Sequence, residues 1–232
     1  MKALVFDASP VISLTLNNLL WVLEPLRRKY EGKFLFGTEV KRELIDKPLT
    51  TKRFKYEALQ VLNLIDIQKV VDDPKVDARE DRILELANNT FEAEGRYIKI
   101  LHPGESQALG ICREYDADAL VIDERTTRDV IENPDHVRKL LTRKLHTNVK
   151  ANAYNLKMLR KEVQGIKVIR SVELVMIAYE LGIFDDMLKN ISRDIENPRT
   201  TFLESVLWGL RIEGCSVADE EIKQLIRIGT KA

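Results

Sequence analysis

The 232-residue sequence is poor in soft and nitrogen ligands, with two cysteines and three histidines in all. Cys112 and Cys215 stand far apart inside apolar helical patterns, and no Cys-x-x-Cys occurs. A cysteine-built zinc ribbon is therefore excluded, and two reduced core thiols are expected. His136 and His146 have no second-ligand spacing and read as surface residues. No apolar run approaches the ~20 residues of a membrane span, and no leader pattern is visible. These absences point to a soluble, cytoplasmic protein with no membrane partner. Neither Gly-x-x-x-x-Gly-Lys-Ser/Thr nor Gly-x-Gly-x-x-Gly is present, so nucleotide binding has no motif behind it. Charge of one sign is not in excess: 37 Lys and Arg balance 37 Asp and Glu. Only the distribution of charge can then speak for nucleic acid. Without a Gly/Ser/Pro-rich linker, a repeat or a low-complexity tract, residues 1–232 are expected to form a single domain.

What the sequence does contain is an alternation of apolar runs with helical patterns. Strands are expected at 3–6, 34–36, 64–70, 97–101, 117–123 and 166–171. Ser9 suits an N-cap and Pro10 the first helical position, opening a helix that runs to about Tyr30. Another follows Thr38 as its cap, carries Val40, Leu44 and Ile45, and stops before Pro48. Residues 51–62 look helical, and an amphipathic helix ends at Gly95. "HPGES" opens a further helix, and the chain is helical from 172 to 230, with a stop at Gly182. The strands are unbroken aliphatic runs rather than alternating patterns, which favours a parallel sheet covered on both faces. The expected fold class is α/β, a three-layer α/β/α sandwich of about five parallel strands with a helical C-terminal extension.

Two strands carry almost the same text, Leu4-Val5-Phe6-Asp7 and Leu120-Val121-Ile122-Asp123. Ligands of an open parallel sheet sit beyond the carboxyl ends of its strands, where both acids would emerge. Glu105 lies where a strand hands over to a helix, and Glu43 on the helix after "FLFG". Two carboxylates ~4 Å apart at an effective dielectric of about 20 cost about 4 kcal/mol. Such a cluster persists if it is protonated, paired with cations or built for a metal. All-oxygen ligation favours Mg²⁺ or Mn²⁺, and such ions suit phosphodiester chemistry. Each acid alone has a plainer reading. Asp7 can cap a helix, Glu105 can be a first-turn acid, Glu43 a solvated helix residue, and Asp123-Glu124 part of a turn. Haloacid-dehalogenase-like phosphatases need a second Asp where Ser9 stands, and receiver domains need an acidic pair after the first strand that is missing.

Taken together these residues resemble the PIN-domain nucleases, especially the archaeal and bacterial kind. "VFDAS" supplies Asp7 and Ser9, "VKREL" Glu43, "GESQAL" Glu105, and "VIDERTTR" Asp123, Glu124 and Arg128. "GIKVIRSVELVMIAYELGIF" matches the family's closing strand and helix, so the likeness covers 1–128 and 165–228. Glu124 stands in place of the commoner second Asp, and Thr127 in place of Ala. The resemblance implies a Mg²⁺- or Mn²⁺-dependent endoribonuclease with Asp7, Glu43, Glu105 and Asp123 as catalytic acids. Its metal ligands would be Asp7, Glu105, Asp123 and Glu124. Ser9 and Thr127 would orient water or phosphate, and Arg128 would hold a neighbouring acid or touch substrate. The implied partner is single-stranded or structured RNA, with a homodimer common in the family. The length exceeds that of compact toxin members, which speaks against an antitoxin-type inhibitor. The alternative is a PIN-like module that binds RNA or protein without cutting; intact acids argue against it.

Residues 129–164 are an insertion relative to the family pattern and are expected to be helical. From His136 to Lys161 the chain has no acid and one aromatic, Tyr154. Arg138, Lys139, Arg143, Lys144, Lys150, Lys157, Arg160 and Lys161 make it a local positive segment that would attract a phosphate backbone. A solvated hairpin or an oligomer contact fits the same composition.

Overall fold

The structure is a computed structural model and describes residues 1–64 and 68–231. The chain opens with β1 (Ala3–Phe6), α1 (Ala8–Leu16), a 3₁₀ turn (Leu20–Val22), α2 (Leu23–Tyr30) and β2 (Lys33–Gly37). Next come α3 (Thr38–Lys41), a π-helical turn (Arg42–Asp46), α4 (Lys47–Thr50), α5 (Lys55–Asn63) and β3 (Gln68–Val71). The middle holds α6 (Pro74–Asn88), β4 (Phe91–Ala93), β5 (Arg96–Tyr97), α7 (Pro103–Tyr115) and β6 (Ala119–Val121). Then follow α8 (Arg125–Glu132), α9 (Pro134–Leu145), β7 (Lys150–Ala151), α10 (Ala153–Val163) and β8 (Val168–Ile169). The chain closes with α11 (Ser171–Glu180), α12 (Asp185–Ile191), α13 (Pro198–Ile212) and α14 (Asp219–Lys231).

Five strands form a parallel sheet in the order β3-β2-β1-β6-β8, flanked by helices on both faces. This is the expected α/β/α sandwich. The aliphatic strand texts follow from burial on both sides. Leu4 and Phe6 of β1 face one core with Phe34, Phe36, Ala119 and Val121. Ala3 and Val5 face the other with Leu35, Leu120 and Ile122. The first core is sealed by α1, α2, α11, α13 and α14, the second by α6, α7 and the helices of the insertion. The C-terminal helices thus bury Leu207 and Ile222 in the same core as Phe6.

Several expected boundaries move. The helix expected to be capped by Ser9 starts two residues earlier, with Asp7 as its cap, and does not reach Tyr30: Asn18 adopts a left-handed φ of 56° and breaks it. Thr38 begins α3 rather than capping it, and the helical path does not stop before Pro48 but runs through the π-helical turn into α4, the widened turn lying just before the proline that cannot donate to the ladder. The amphipathic helix ends at Asn88, not Gly95. Asn89 and Thr90 follow, and Glu94 and Gly95, both with positive φ, make the tight turn of a β4–β5 hairpin. Of 97–101 only Tyr97 is in a strand, and not in the central sheet. Asn88 explains this, since its side chain accepts from the Ile100 and Leu101 N–H groups and donates to the Leu101 carbonyl. The strand expected at 64–70 is present as β3 from Gln68; 65–67 lie outside the described residues. Cys215 lies just past α13 rather than within a helix, and both thiols are free and buried.

The insertion is helical but not a simple hairpin. Its β7 pairs antiparallel with β4 to complete a small three-stranded sheet. Buried Glu162 of α10 anchors it, bridging Arg79 at 2.7 Å and Arg82 at 2.9 Å on α6.

Candidate active site

Asp7 stands one residue beyond β1, and its N–H continues the ladder by donating to the Val121 carbonyl at 3.0 Å. One carboxylate oxygen, Oδ2, accepts from the Ser9 N–H at 3.1 Å and the Ser9 hydroxyl at 2.6 Å, which caps α1. Ser9 also bridges the two strand ends, because its hydroxyl accepts from the Asp123 N–H at 3.2 Å.

The two strand-end aspartates nevertheless face opposite ways. The shared text would align Leu4 with Leu120, yet the register pairs Leu4 with Ala119 and Phe6 with Val121. A one-residue shift exchanges the faces of a strand. Asp7 follows Val5 onto the face of α7, whereas Asp123 follows Ala119 and Val121 onto the face of α1 and α11. There Asp123 is fully buried. Its Oδ2 accepts from the Ser13 hydroxyl at 3.0 Å and its Oδ1 from the Ser171 N–H at 2.7 Å. Its carbonyl accepts from the Ser216 N–H at 3.1 Å. Asp123 therefore ties α1, α11 and the loop before α14 to the end of β6, and it does not line the acidic cavity.

Glu124 takes the place on the cavity side. Asp7, Glu43, Glu105 and Glu124 line one cavity of about 430 Å³, with Glu39, Arg42, Lys47 and His102 around them. Three of the acids share a device. Glu105 Oε2 accepts from the His102 N–H at 2.7 Å at the start of α7, and Glu124 Oε2 from the Thr127 N–H at 2.6 Å at the start of α8. Like Asp7, each uses one oxygen to cap its own helix. Among the described residues the second oxygen has no hydrogen-bond partner. Three helix N-termini, α1, α7 and α8, thus converge on one cavity, and their dipoles favour negative charge there.

Glu43 arrives differently. It sits in the π-helical turn, where the Lys47 N–H reaches back to the Arg42 carbonyl; such bulges recur at functional sites. The preceding α3 is held by Gln107, whose Oε1 accepts from the Glu39 N–H at 2.9 Å. Gly37 makes room for it, since a Cβ there would lie 1.9 Å from that oxygen. Gln107, Ser13 and Ser171 carry no pattern of their own in the sequence. The strand alternation that separates Asp123 from Glu124 was the signal available for those two.

The electrostatics follow from burial and crowding. Burial raises the Asp7 carboxyl above the usual range, partly offset by Ser9, with the Asp123 charge adding. Burial pushes Glu105 up to about 7, with the charges of Asp7 and Glu124 contributing. Glu43 is raised by burial and then by Asp7, against Lys47, His102 and Arg42. Arg42 is itself paired with Glu39. Among the described residues no ion pair neutralises the four cavity acids. The Thr127 hydroxyl is buried, has no hydrogen-bond partner among the described residues, and stops short of bonding geometry to Glu105.

Among the described residues no three His, Cys, Asp or Glu side chains are grouped tightly enough to hold a metal ion as they stand. In kind the donor set fits a hard divalent cation: oxygen only, negatively charged, unneutralised, and beside an orphaned buried hydroxyl.

The remaining expected residues lie elsewhere. Arg128 donates to the Ser216 carbonyl at 2.8 Å, beside Arg170, which holds the same carbonyl at 3.1 Å. It clamps the loop before α14 and does not line the cavity. Arg138, Lys139, Arg143, Lys144, Lys150, Lys157, Arg160 and Lys161 are all exposed, and none lines the cavity. Arg160 is paired with Asp135; among the described residues the other seven make no ion pair.

Among the described residues no helix is long and apolar enough to cross a membrane. Neither the curated proteins nor the solved structures include a match to this chain. A family model described as a PIN domain matches residues 3–135, which spans β1 to the start of α9 and every acid of the cavity. Domains of that family are generally nucleases that use divalent metal ions. With more than half of its length matched, and the strand order and acidic sheet edge described above, the chain belongs to the PIN-domain family.

Proposed function

We propose that this protein is an endoribonuclease dependent on Mg²⁺ or Mn²⁺. The observation that carries the reading is the convergence of three helix-capping carboxylates, each with a free oxygen, on one cavity. Asp7, Glu105 and Glu124 would hold the ion, with Glu43 completing the set directly or through water. The bound ion would acidify water and neutralise charge growing on the phosphate. The Glu43 carboxylate, made more basic by burial and by the Asp7 charge, would take the proton of the attacking water. Lys47 brings positive charge to the same cavity and favours a phosphate there. Ser9 keeps the Asp7 carboxylate in its rotamer, and Asp123 is a positioning residue that fixes the strand end from behind. The exposed basic side chains of the insertion supply sequence-independent attraction for the RNA backbone.

A non-cleaving RNA-binding or protein-interaction module is the second reading, favoured by the lack of a ready-made ligand set. Incubation of single-stranded and structured RNA with Mg²⁺, Mn²⁺ or chelator, using wild type and Asp7→Asn, separates the two. Metal-dependent cleavage lost in Asp7→Asn by about 10²–10³-fold or more is expected. Equal activity in every sample identifies a contaminant and removes the enzymatic claim. RNA bound without cleavage under any metal supports the module.

A further inference from the structure

The acidic cavity does not end at its acids. Ile12, Glu43 and Lys47 line both it and an adjoining groove of about 370 Å³. The groove runs between α1, the π-helical turn and α5. Its floor is aliphatic, from Leu16, Leu44 and Val61, and Arg53 and Phe54 form its rim. Phe54 is unusual on two counts. The residue is 45% exposed, and its backbone is left-handed at φ 64°, ψ 17°. A bulky aromatic rarely adopts that conformation. The Thr51 hydroxyl supports the turn by donating to the Arg53 carbonyl at 2.7 Å. The Arg53 guanidinium stacks over the Phe54 ring, 4.6 Å from its centre. Backbone strain of this kind clusters at active sites and ligand clamps.

We infer that this groove is a nucleobase subsite, which takes an unpaired base next to the scissile phosphate. The inference rests on the endoribonuclease reading and names its substrate class. An apolar floor with an aromatic rim suits the flat face of a base, and stacking of this kind is tolerant of sequence. Arg53 and Lys47 place positive charge beside the groove for the adjoining phosphates, against Glu43 and Glu57, which also line it. A paired base cannot enter a groove walled by three helical segments, so the substrate is single-stranded at this position.

The test uses short single-stranded oligoribonucleotides in which each nucleotide in turn is made abasic. Affinity is measured in EDTA, and cleavage in Mn²⁺. Phe54→Asn removes the ring while tolerating the left-handed backbone, so its melting temperature is expected at or above that of wild type. Its affinity is expected to fall about 5- to 100-fold, and Phe54→Trp to retain most of it. One abasic position beside the cleaved bond should cost wild type the same factor and cost Phe54→Asn nothing further. Unchanged affinity in Phe54→Asn, or an abasic penalty equal in both proteins, overturns the subsite. Metal-dependent cleavage with kcat/KM unaltered in Phe54→Asn leaves the nuclease standing and the subsite fallen. Phe54-dependent binding without cleavage does the reverse. A dimer in light scattering that Leu16→Glu splits would assign the groove to a second copy and overturn the base.

Discussion

Asp7 and Asp123 end neighbouring strands of one sheet and are linked through a single serine hydroxyl, yet their surroundings are opposites. Asp123 has a protein donor for each carboxylate oxygen and no exposure. Asp7 has donors on one oxygen, like-charged neighbours, and a cavity before it. One acid is satisfied by the fold and stabilises it. The other is left short of partners by the fold, which raises its affinity for protons and suits it to a cation. Identical chemistry at a sheet edge therefore divides into a structural role and a site role by strand parity alone.

The matched pair Asp123→Asn and Asp7→Asn tests this division. In Asp123→Asn an amide group must face either the Ser13 hydroxyl or the Ser171 N–H, and a charge-assisted hydrogen bond is lost. The expected cost is about 1–3 kcal/mol, which for a chain of this length lowers Tm by about 3–10 °C. In Asp7→Asn the amide oxygen still caps α1, and a buried, crowded charge is removed. The metal-free protein should melt higher than wild type. Calorimetry in EDTA near pH 7.5 checks both, and changes of the same sign in the two variants would erase the distinction.

Glu105→Gln sharpens the comparison within the cavity. The glutamine keeps an acceptor for the His102 N–H, while the ionisation of a carboxyl held near 7 no longer opposes folding. A gain of about 1–3 kcal/mol at pH 7.5 is expected in EDTA. Thermal-shift titration with Mn²⁺ should show the rise in wild type and little in the variant, because the cation relieves a repulsion that the variant lacks.

Much of this was legible before the structure. Unbroken aliphatic runs such as Leu4–Phe6 announced a sheet buried on both faces, because alternation disappears when neither face meets water. The likeness of "LVFD" to "LVID" points to the sheet edge where the acidic cavity lies, and puts Asp123 ahead of Glu124 although only Glu124 lines that cavity. Text cannot show register, and a shift of one residue turned Asp123 away and Glu124 inward. Gln107 was invisible for a related reason. Its hydrogen bond to the Glu39 N–H joins segments far apart in sequence, and only the bare Cα of Gly37 lets it pass. Asn18 and Asn88 escaped notice because each ends a regular run through its own local conformation or side-chain bonds, which apolar periodicity does not record.

The smallest expected effect lies just outside the site. Glu80 on α6 has its carboxyl pushed up to about 7, chiefly by burial, with the charges of Glu39, Asp77 and Asp81 adding and Gln107 opposing. The folded state binds this proton more tightly than the unfolded chain, whose ordinary value is 4.5. Glu80's contribution to stability is therefore whole below 4.5 and is lost as pH rises toward 7, then stays level. Asp7, Glu43 and Glu105, all raised, give a slope of the same sign in EDTA, so the informative quantity is the difference between wild type and Glu80→Gln. That difference should develop between those two values and stay below about 1 kcal/mol, since solvent screens a half-buried group. Saturating Mn²⁺ should flatten the cavity contribution and leave the Glu80 difference intact. If the metal abolished both, Glu80 would belong to the electrostatics of the site, and the boundary drawn between the open acids and the satisfied framework would have to move outward to α6.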